Sequence, residues 1–155
     1  HNEGSVSYHE QNNFIAPENI FQKISIAAPY LELVEEMTLN EFFFFHHKMK
    51  GWLSSMDSQQ IIRLLCLEKS AYKQIRYFSS GMKQRVKLAQ AIFSNVPVVL
   101  LDEPLTNLDD DGIVLYHSLI DNYCSSRMVI VSSNDKKEYS FCNEVLDIRD
   151  YKTAN

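Results

Sequence analysis

The chain has 155 residues, of which 45% are hydrophobic and 23% charged, with nine Phe and eight Tyr. That composition belongs to one folded domain and excludes a disordered or collagen-like chain. Twenty acidic against fifteen basic residues leave a formal charge of -5, which argues against a bulk electrostatic grip on nucleic acid. Three widely spaced cysteines without a CxxC argue against a disulfide scaffold or a cysteine zinc site and suit a reducing compartment. No apolar run reaches the roughly 18 residues of a membrane span.

The opening His1-Asn2-Glu3-Gly4 has no initiator Met and none of the basic and apolar regions of a secretory signal, so it reads as a cut edge. Ser5–Tyr8 predicts a short strand and His9 to Asn13 a turn. Ile24–Ala28 predicts a second strand, stopped by Pro29, which has no amide hydrogen for a ladder. Thr38 is placed to cap a helix from Leu39, with Glu41 as its reciprocal partner, ending near Gly51. That helix carries Phe42 to Phe45. Four consecutive rings cannot all face one core, which leaves one or two for a partner. His46-His47 lacks the i,i+4 spacing of a zinc-binding pair and reads as two ordinary histidines. Asp57 begins a second helix whose Ile61, Ile62, Leu64, Leu65 and Leu67 give a broad buried face.

From Ser80 a helix runs through Phe93, with Val86, Leu88, Ala89 and Ile92 inward and Lys83, Arg85 and Lys87 at polar positions. Val98–Leu101 is a continuous apolar run of buried parallel-strand type. A helix over about Asp111–Tyr123, a buried strand at Met128–Val131, a helix near Lys136–Cys142 and a last strand at Val145–Ile148 follow. This strand–helix alternation predicts an α/β fold with a mostly parallel sheet covered by helices.

Two stretches carry candidate chemistry. Val98 to Leu101 ends in Asp102-Glu103-Pro104, placing two carboxylates at the carboxyl edge of the sheet, where open α/β proteins bind ligands. Asp102 suits Mg²⁺ held through water, and Glu103 suits a group that orients or deprotonates an attacking water. The plainer alternative is a strand that leaves into solvent and turns at Pro104. Phe78 to Arg85 places a Ser-Ser-Gly turn at a helix entrance, which is either an anion site or simple N-capping. None of the four glycines lies in a GxxxxGK[ST] or GxGxxG frame, so these residues hold no complete phosphate-cradling loop.

Taken together, Ser79-Ser80-Gly81-Met82-Lys83-Gln84-Arg85, the apolar helix after it, Leu100-Leu101-Asp102-Glu103-Pro104 and Asn107-Leu108-Asp109 resemble the ATPase subunit of ABC transporters. The resemblance covers residues 78 to 148 strongly and 24 to 42 in part. It implies an incomplete P-loop NTPase-like fold with a mostly parallel sheet. A helical subdomain at about 38–80 would be inserted between core elements, beside a remnant of an N-terminal antiparallel part. The family's Walker A loop would lie upstream of residue 1, which makes the chain either a fragment of a longer parent or a natural or degenerate variant without that loop. The implied cofactors are ATP and Mg²⁺, with Glu103 as catalytic glutamate, Asp102 on Mg²⁺ through water and Asn134 at the switch position. Ser79, Ser80 and Gly81 would contact ATP held mainly by a second ABC ATPase domain, so this signature acts in trans, and Asp109, also counted as nucleotide-binding, would lie in the loop that crosses between the paired domains.

The other implied partner is an integral membrane transporter subunit, with the chain peripheral on the cytoplasmic face of the membrane and no nucleic acid bound. The form of the signature resembles bacterial subunits that serve export systems. Three departures stand out. Pro29 lies where the family has a Gln, and Asn134 replaces the switch His. Ser80 and Met82 replace the first Gly and the Gln of the signature. An Asn amide can donate a hydrogen bond to phosphate but holds no transferable proton. Two other readings stay open: a non-transport ATPase of the same class, and a regulatory domain that supplies only its signature surface. The chain alone is expected neither to bind MgATP tightly nor to turn it over.

Overall fold

The computed structural model describes residues 5–151, so His1-Asn2-Glu3-Gly4 lies outside the described residues. β1 (Tyr8–Glu10) and β2 (Asn13–Ile15) pair as an antiparallel hairpin with Tyr8 opposite Ile15. Gln11 and Asn12 both take positive φ, 48° and 68°, as two-residue turns matched to strand twist require. The expected strand at Ser5–Tyr8 is therefore displaced, and His9, Glu10 and Asn13 are paired residues instead of turn. Their side chains are exposed, so polar residues cost this hairpin nothing.

A 3-10 turn at Pro17–Gln22 leads into β3 (Ile24–Ala27). α1 (Leu39–Lys50) begins with the expected reciprocal cap: Glu41 N–H donates to Thr38 Oγ1 at 3.3 Å, and Thr38 N–H donates to the Glu41 carboxylate at 2.8 Å. Those bonds hold the Glu41 carboxyl below its ordinary pKa. Phe42 and Phe43 are buried, Phe43 edge-on to Trp52, while Phe44 and Phe45 face out. α1 ends at Gly51, whose φ of +71° suits glycine. α2 (Ser58–Leu64) has the same device, Asp57 accepting from Gln60 N–H and Gln60 from Asp57 N–H, both at 2.8 Å.

α3 (Ser80–Ile92), β4 (Val98–Asp102), α4 (Asp110–Tyr123) and β5 (Met128–Ser132) complete the core. The sheet order is β3-β4-β5, all parallel, with Ala27, Leu101 and Val131 side by side. Ala27, Val99 and Leu101 are buried on the face that α3 covers. The opposite face carries Ile26, Met128 and Ile130, of which Met128 is 61% exposed. The strand expected to be buried at Met128–Val131 is thus covered on one face only. Alternation along a strand sends every second side chain to the other face, where no layer lies among the described residues.

Two further expectations fail near the end. Lys136 to Cys142 forms turns in place of a helix, with Glu138 N–H bonded to Asp135 O and Cys142 N–H to Tyr139 O. Val145 to Ile148 is not a strand: Val145, Leu146 and Ile148 are exposed and have no ladder partner among the described residues. Apolar composition makes a strand only where an edge is in reach. Arg127 closes the opposite end of the sheet, donating to the carbonyls of Ile92, Ser94 and Tyr123 and so joining the ends of α3 and α4 to β5.

His46 is the buried titratable group of α1. Its Nε2 lies 2.8 Å from Ser94 Oγ, Ser94 donates to Gln90 O, and the ring stacks on Trp52. Burial, reinforced by Lys50 and His47, pushes its pKa down to about 4. The folded state therefore binds this proton less readily than the unfolded chain. Its contribution to stability is complete above pH about 6.5 and drains away as the pH falls toward about 4. We expect denaturant unfolding to show this as a loss of up to about 3 kcal/mol over that window, smaller in His46→Gln. An identical pH slope in the variant would contradict it.

Candidate functional site

The parallel register ends the three strands level with one another. Asp102 stands beside Ser132, and Glu103 N–H donates to Ser132 O at 3.0 Å. Ala28-Pro29, Asp102-Glu103 and Ser133-Asn134 therefore leave the sheet along one edge. Asp102 is half-buried and Glu103 exposed. Glu103 has φ +41°, an uncommon conformation for a side-chain-bearing residue. The turn that follows supports it, with Thr106 N–H bonded to Glu103 O at 3.1 Å. Asn134 is exposed in a turn where Asp135 N–H donates to Ser133 Oγ at 2.8 Å.

Two adjacent carboxylates are an oxygen-only donor set. That fits Mg²⁺, which takes one or two carboxylates and completes its shell with phosphate and water. Among the described residues no group of three or more His, Cys, Asp or Glu gathers to cage a metal, so any Mg²⁺ here needs ligands from elsewhere. Pro29 contributes its carbonyl to the fold: Lys87 Nζ donates to Pro29 O at 2.7 Å and to Ala28 O at 3.4 Å. Burial, then the nearby Lys83, pushes the Lys87 pKa down, while Glu32 opposes the shift. Lys83 pairs with Glu35, so the segment after β3 is fastened to α3 at two points.

The second site lies at the start of α3. Ser79 is its N-cap, accepting from Met82 N–H at 3.2 Å. A Cβ at Gly81 would come to 3.0 Å of Asn107 O, so the close approach of helix start and loop suits a glycine there. A cavity of about 490 Å³ opens between Ser79, Ser80, Gly81 and Arg85 on one side and Asn107 and Asp109 on the other. Asp109 caps α4 by accepting from Gly112 N–H at 2.9 Å and pairs with Arg85 at 3.0 Å. Those bonds, the Gly112 amide first, lower its pKa.

The expected site residues thus fall into two groups. Ser79, Ser80, Gly81 and Asp109 meet around one cavity, and Asp102, Glu103 and Asn134 share the sheet edge. Neither Asp102 nor Glu103 lines the cavity. Arg85, read from sequence only as a polar helix position, is part of the cavity wall. Cys66 and Ser70 also line it. They arrive from beyond the end of α2 through tertiary folding, and no local pattern marks them.

A parallel sheet covered by helices on one face, with an Asp-Glu strand exit and a Ser-Gly helix entrance, is consistent with an α/β P-loop NTPase-like fold. The ABC transporter family model matches residues 1–106, and the chain belongs to that family. The ABC transporter ATP-binding protein YybJ of Bacillus subtilis is 33% identical over 103 residues, covering 65% of this chain and 47% of that protein. The cytochrome c biogenesis ATP-binding export protein CcmA of Xylella fastidiosa is 29% identical over 117 residues, 76% of this chain and 52% of its own length. The chain spans about half the length of these relatives.

Among solved structures, the ATP binding subunit of an ABC transporter superposes with a TM-score of 0.70 at 22% identity, over 81% of this chain and 54% of that one. The dimeric post-hydrolysis ATP-binding cassette MJ0796 bound to ADP and Pi gives 0.67 at 18%, over 85% and 64%. Both share the fold.

Because Asp109 both caps α4 and pairs with Arg85, its two roles separate by substitution. Asp109→Ala is expected to lower the urea midpoint of unfolding more than Asp109→Asn, whose amide oxygen can still accept from Gly112 N–H. Equal losses would mean that the cap contributes nothing.

Proposed function

We propose that this chain forms part of an ATP-hydrolysing motor that drives transport across a membrane, working as one of a pair of ABC domains. The observation that carries the proposal is the division of its polar residues between a strand-exit edge and a separate helix-entrance cavity. In this reading each end serves a different nucleotide. Asp102 would hold, through water, the Mg²⁺ of the ATP bound by its own domain, Glu103 would act as the base toward the attacking water, and Asn134 would donate a hydrogen bond to phosphate. Ser79, Ser80 and Gly81 meet the phosphates of an ATP held mainly by the second domain, with Asp109 at the pair interface.

The reading requires a phosphate cradle supplied from outside these 155 residues, which contain no GxxxxGK[ST] loop. Residues 38–80 act as a helical subdomain that carries the signature. The similarity to YybJ, an uncharacterized ABC transporter ATP-binding protein, and to CcmA, an ATP-binding export protein, supports this reading.

A partner on the membrane side is also part of the proposal. A groove of about 580 Å³ lies between the segment before α1 and α1 itself, with Val34, Met37, Phe44 and Phe45 in its walls. Phe44 is 61% exposed there, and its ring suits a short apolar helix of an integral membrane subunit. No helix among the described residues is long and apolar enough to cross a membrane. Attachment at the cytoplasmic face through that partner, without nucleic acid, is the reading we adopt.

Pro29 and Asn134 favour a second reading, a domain that offers only its signature surface to a catalytic partner. Turnover separates the two. In the full-length protein Glu103→Gln is expected to reduce ATP turnover about 100-fold or more while MgATP binding persists. The isolated 155-residue chain should show no micromolar MgATP binding in a titration. Turnover unchanged by Glu103→Gln would remove Glu103 as the base.

A further inference from the structure

Two buried polar side chains grip one peptide group of the loop between β4 and α4. Gln84, on α3 and 2% exposed, donates from Nε2 to Pro104 O at 2.9 Å. Glu138, after β5 and 4% exposed, accepts from Leu105 N–H at 2.8 Å. The Pro104 carbonyl and the Leu105 amide belong to the same peptide bond, which is trans, so they point in opposite directions. We propose that Gln84 and Glu138 are positioning residues that clamp the Pro104–Leu105 peptide from its two sides, and that this clamp couples the helix-entrance cavity to the carboxylate edge.

The loop explains why one peptide matters. Glu103 precedes it at φ +41° and Asn107 follows at φ +65°, so the chain on both sides is held in uncommon conformations. This peptide lies on the short stretch of chain that joins Glu103 to the cavity residues Asn107 and Asp109. Gln84 lies one helical turn from Gly81, and Glu138 lies four residues after Asn134. A contact made at either end is therefore one rigid step from the same peptide. Glu138 is itself fixed, its carbonyl accepting from Tyr116 Oη–H at 2.7 Å.

Stability alone does not account for the pair. The second carboxylate oxygen of Glu138 is buried without a hydrogen-bond partner among the described residues. A buried carboxyl with unmet hydrogen-bonding capacity is costly, and that cost offsets what its bond to the Leu105 amide contributes to stability. Holding one amide in place is the return visible in the structure.

The inference rests on the motor reading above, and its test keeps the two apart. Steady-state MgATP hydrolysis is measured in the full-length protein for wild type, Gln84→Leu, Glu138→Ala, Glu138→Gln and the double variant Gln84→Leu/Glu138→Ala, with thermal unfolding as the check on folding. Gln84→Leu and Glu138→Ala should each lower kcat about tenfold or more with KM within about threefold. Glu138→Gln keeps an acceptor oxygen and should stay within about threefold of wild type. The double variant should be no slower than the slower single one, because both release the same peptide.

Losses that multiply, a Glu138→Gln enzyme as slow as Glu138→Ala, or an effect confined to KM would overturn the clamp. If Glu138→Ala does not fold, Gln84→Glu decides, since it sets a carboxylate against the Pro104 carbonyl at unchanged size; wild-type kcat there overturns the proposal. Clamp variants with wild-type kcat beside an inactive Glu103→Gln enzyme refute the clamp alone. Turnover indifferent to Glu103→Gln overturns both.

Discussion

The parallel register that sets Ala27, Leu101 and Val131 side by side governs where every charged group of the sheet edge can stand. β4 is hydrogen-bonded on both flanks and turns Val99 and Leu101 into the core. A slip of one residue would rotate those side chains to the open face and draw Asp102 inward, where a carboxylate without partners is costly. The same packing that secures the strand thus fixes Leu101 as its last buried residue and releases Asp102 and Glu103 at the exit. Ser133-Asn134 and Ala28-Pro29 are carried to the same level by the neighbouring ladders.

From that exit the chain makes one short excursion, residues 103 to 109, before Asp109 starts α4. This loop belongs to both sites. Its first residue is a candidate base, and its last lines the cavity with Arg85 and the Ser79 turn. The approach of Gly81 to Asn107 O leaves little slack between helix and loop. α3 serves as a common spine, since its entrance forms the cavity, Gln84 holds the loop, and Lys83 and Lys87 fasten the segment after β3.

Much of this is local enough to be written in sequence. The cap at Thr38 and Glu41, the stop at Gly51, the start at Asp57 and the apolar runs of β4 and β5 each depend on a few consecutive residues, and each forms where expected. The Asp102-Glu103 exit and the Ser79 turn were legible for the same reason. What failed depended on neighbours. Val145 to Ile148 has the residues of a strand but no paired edge, and the hairpin at Tyr8–Ile15 pairs polar residues that composition alone assigns to a turn. Cys66 and Ser70 reach the cavity through packing, Arg85 stands on the Gly81 face of α3 one turn on, and the Gln84–Glu138 grip joins residues 54 positions apart through a backbone group with no residue signature.

The central claim is that one chain presents its two polar ends to two different nucleotides. The most direct measurement is a structure of the full-length protein with a non-hydrolysable ATP analogue and Mg²⁺. We expect Asp102 and Glu103 beside the Mg²⁺ of one nucleotide, with Ser79 and Gly81 against the terminal phosphate of another bound mainly to a neighbouring copy or related domain. Ser79 and Asp102 of one chain closing on a single nucleotide, or both standing clear of any phosphate, would contradict the claim.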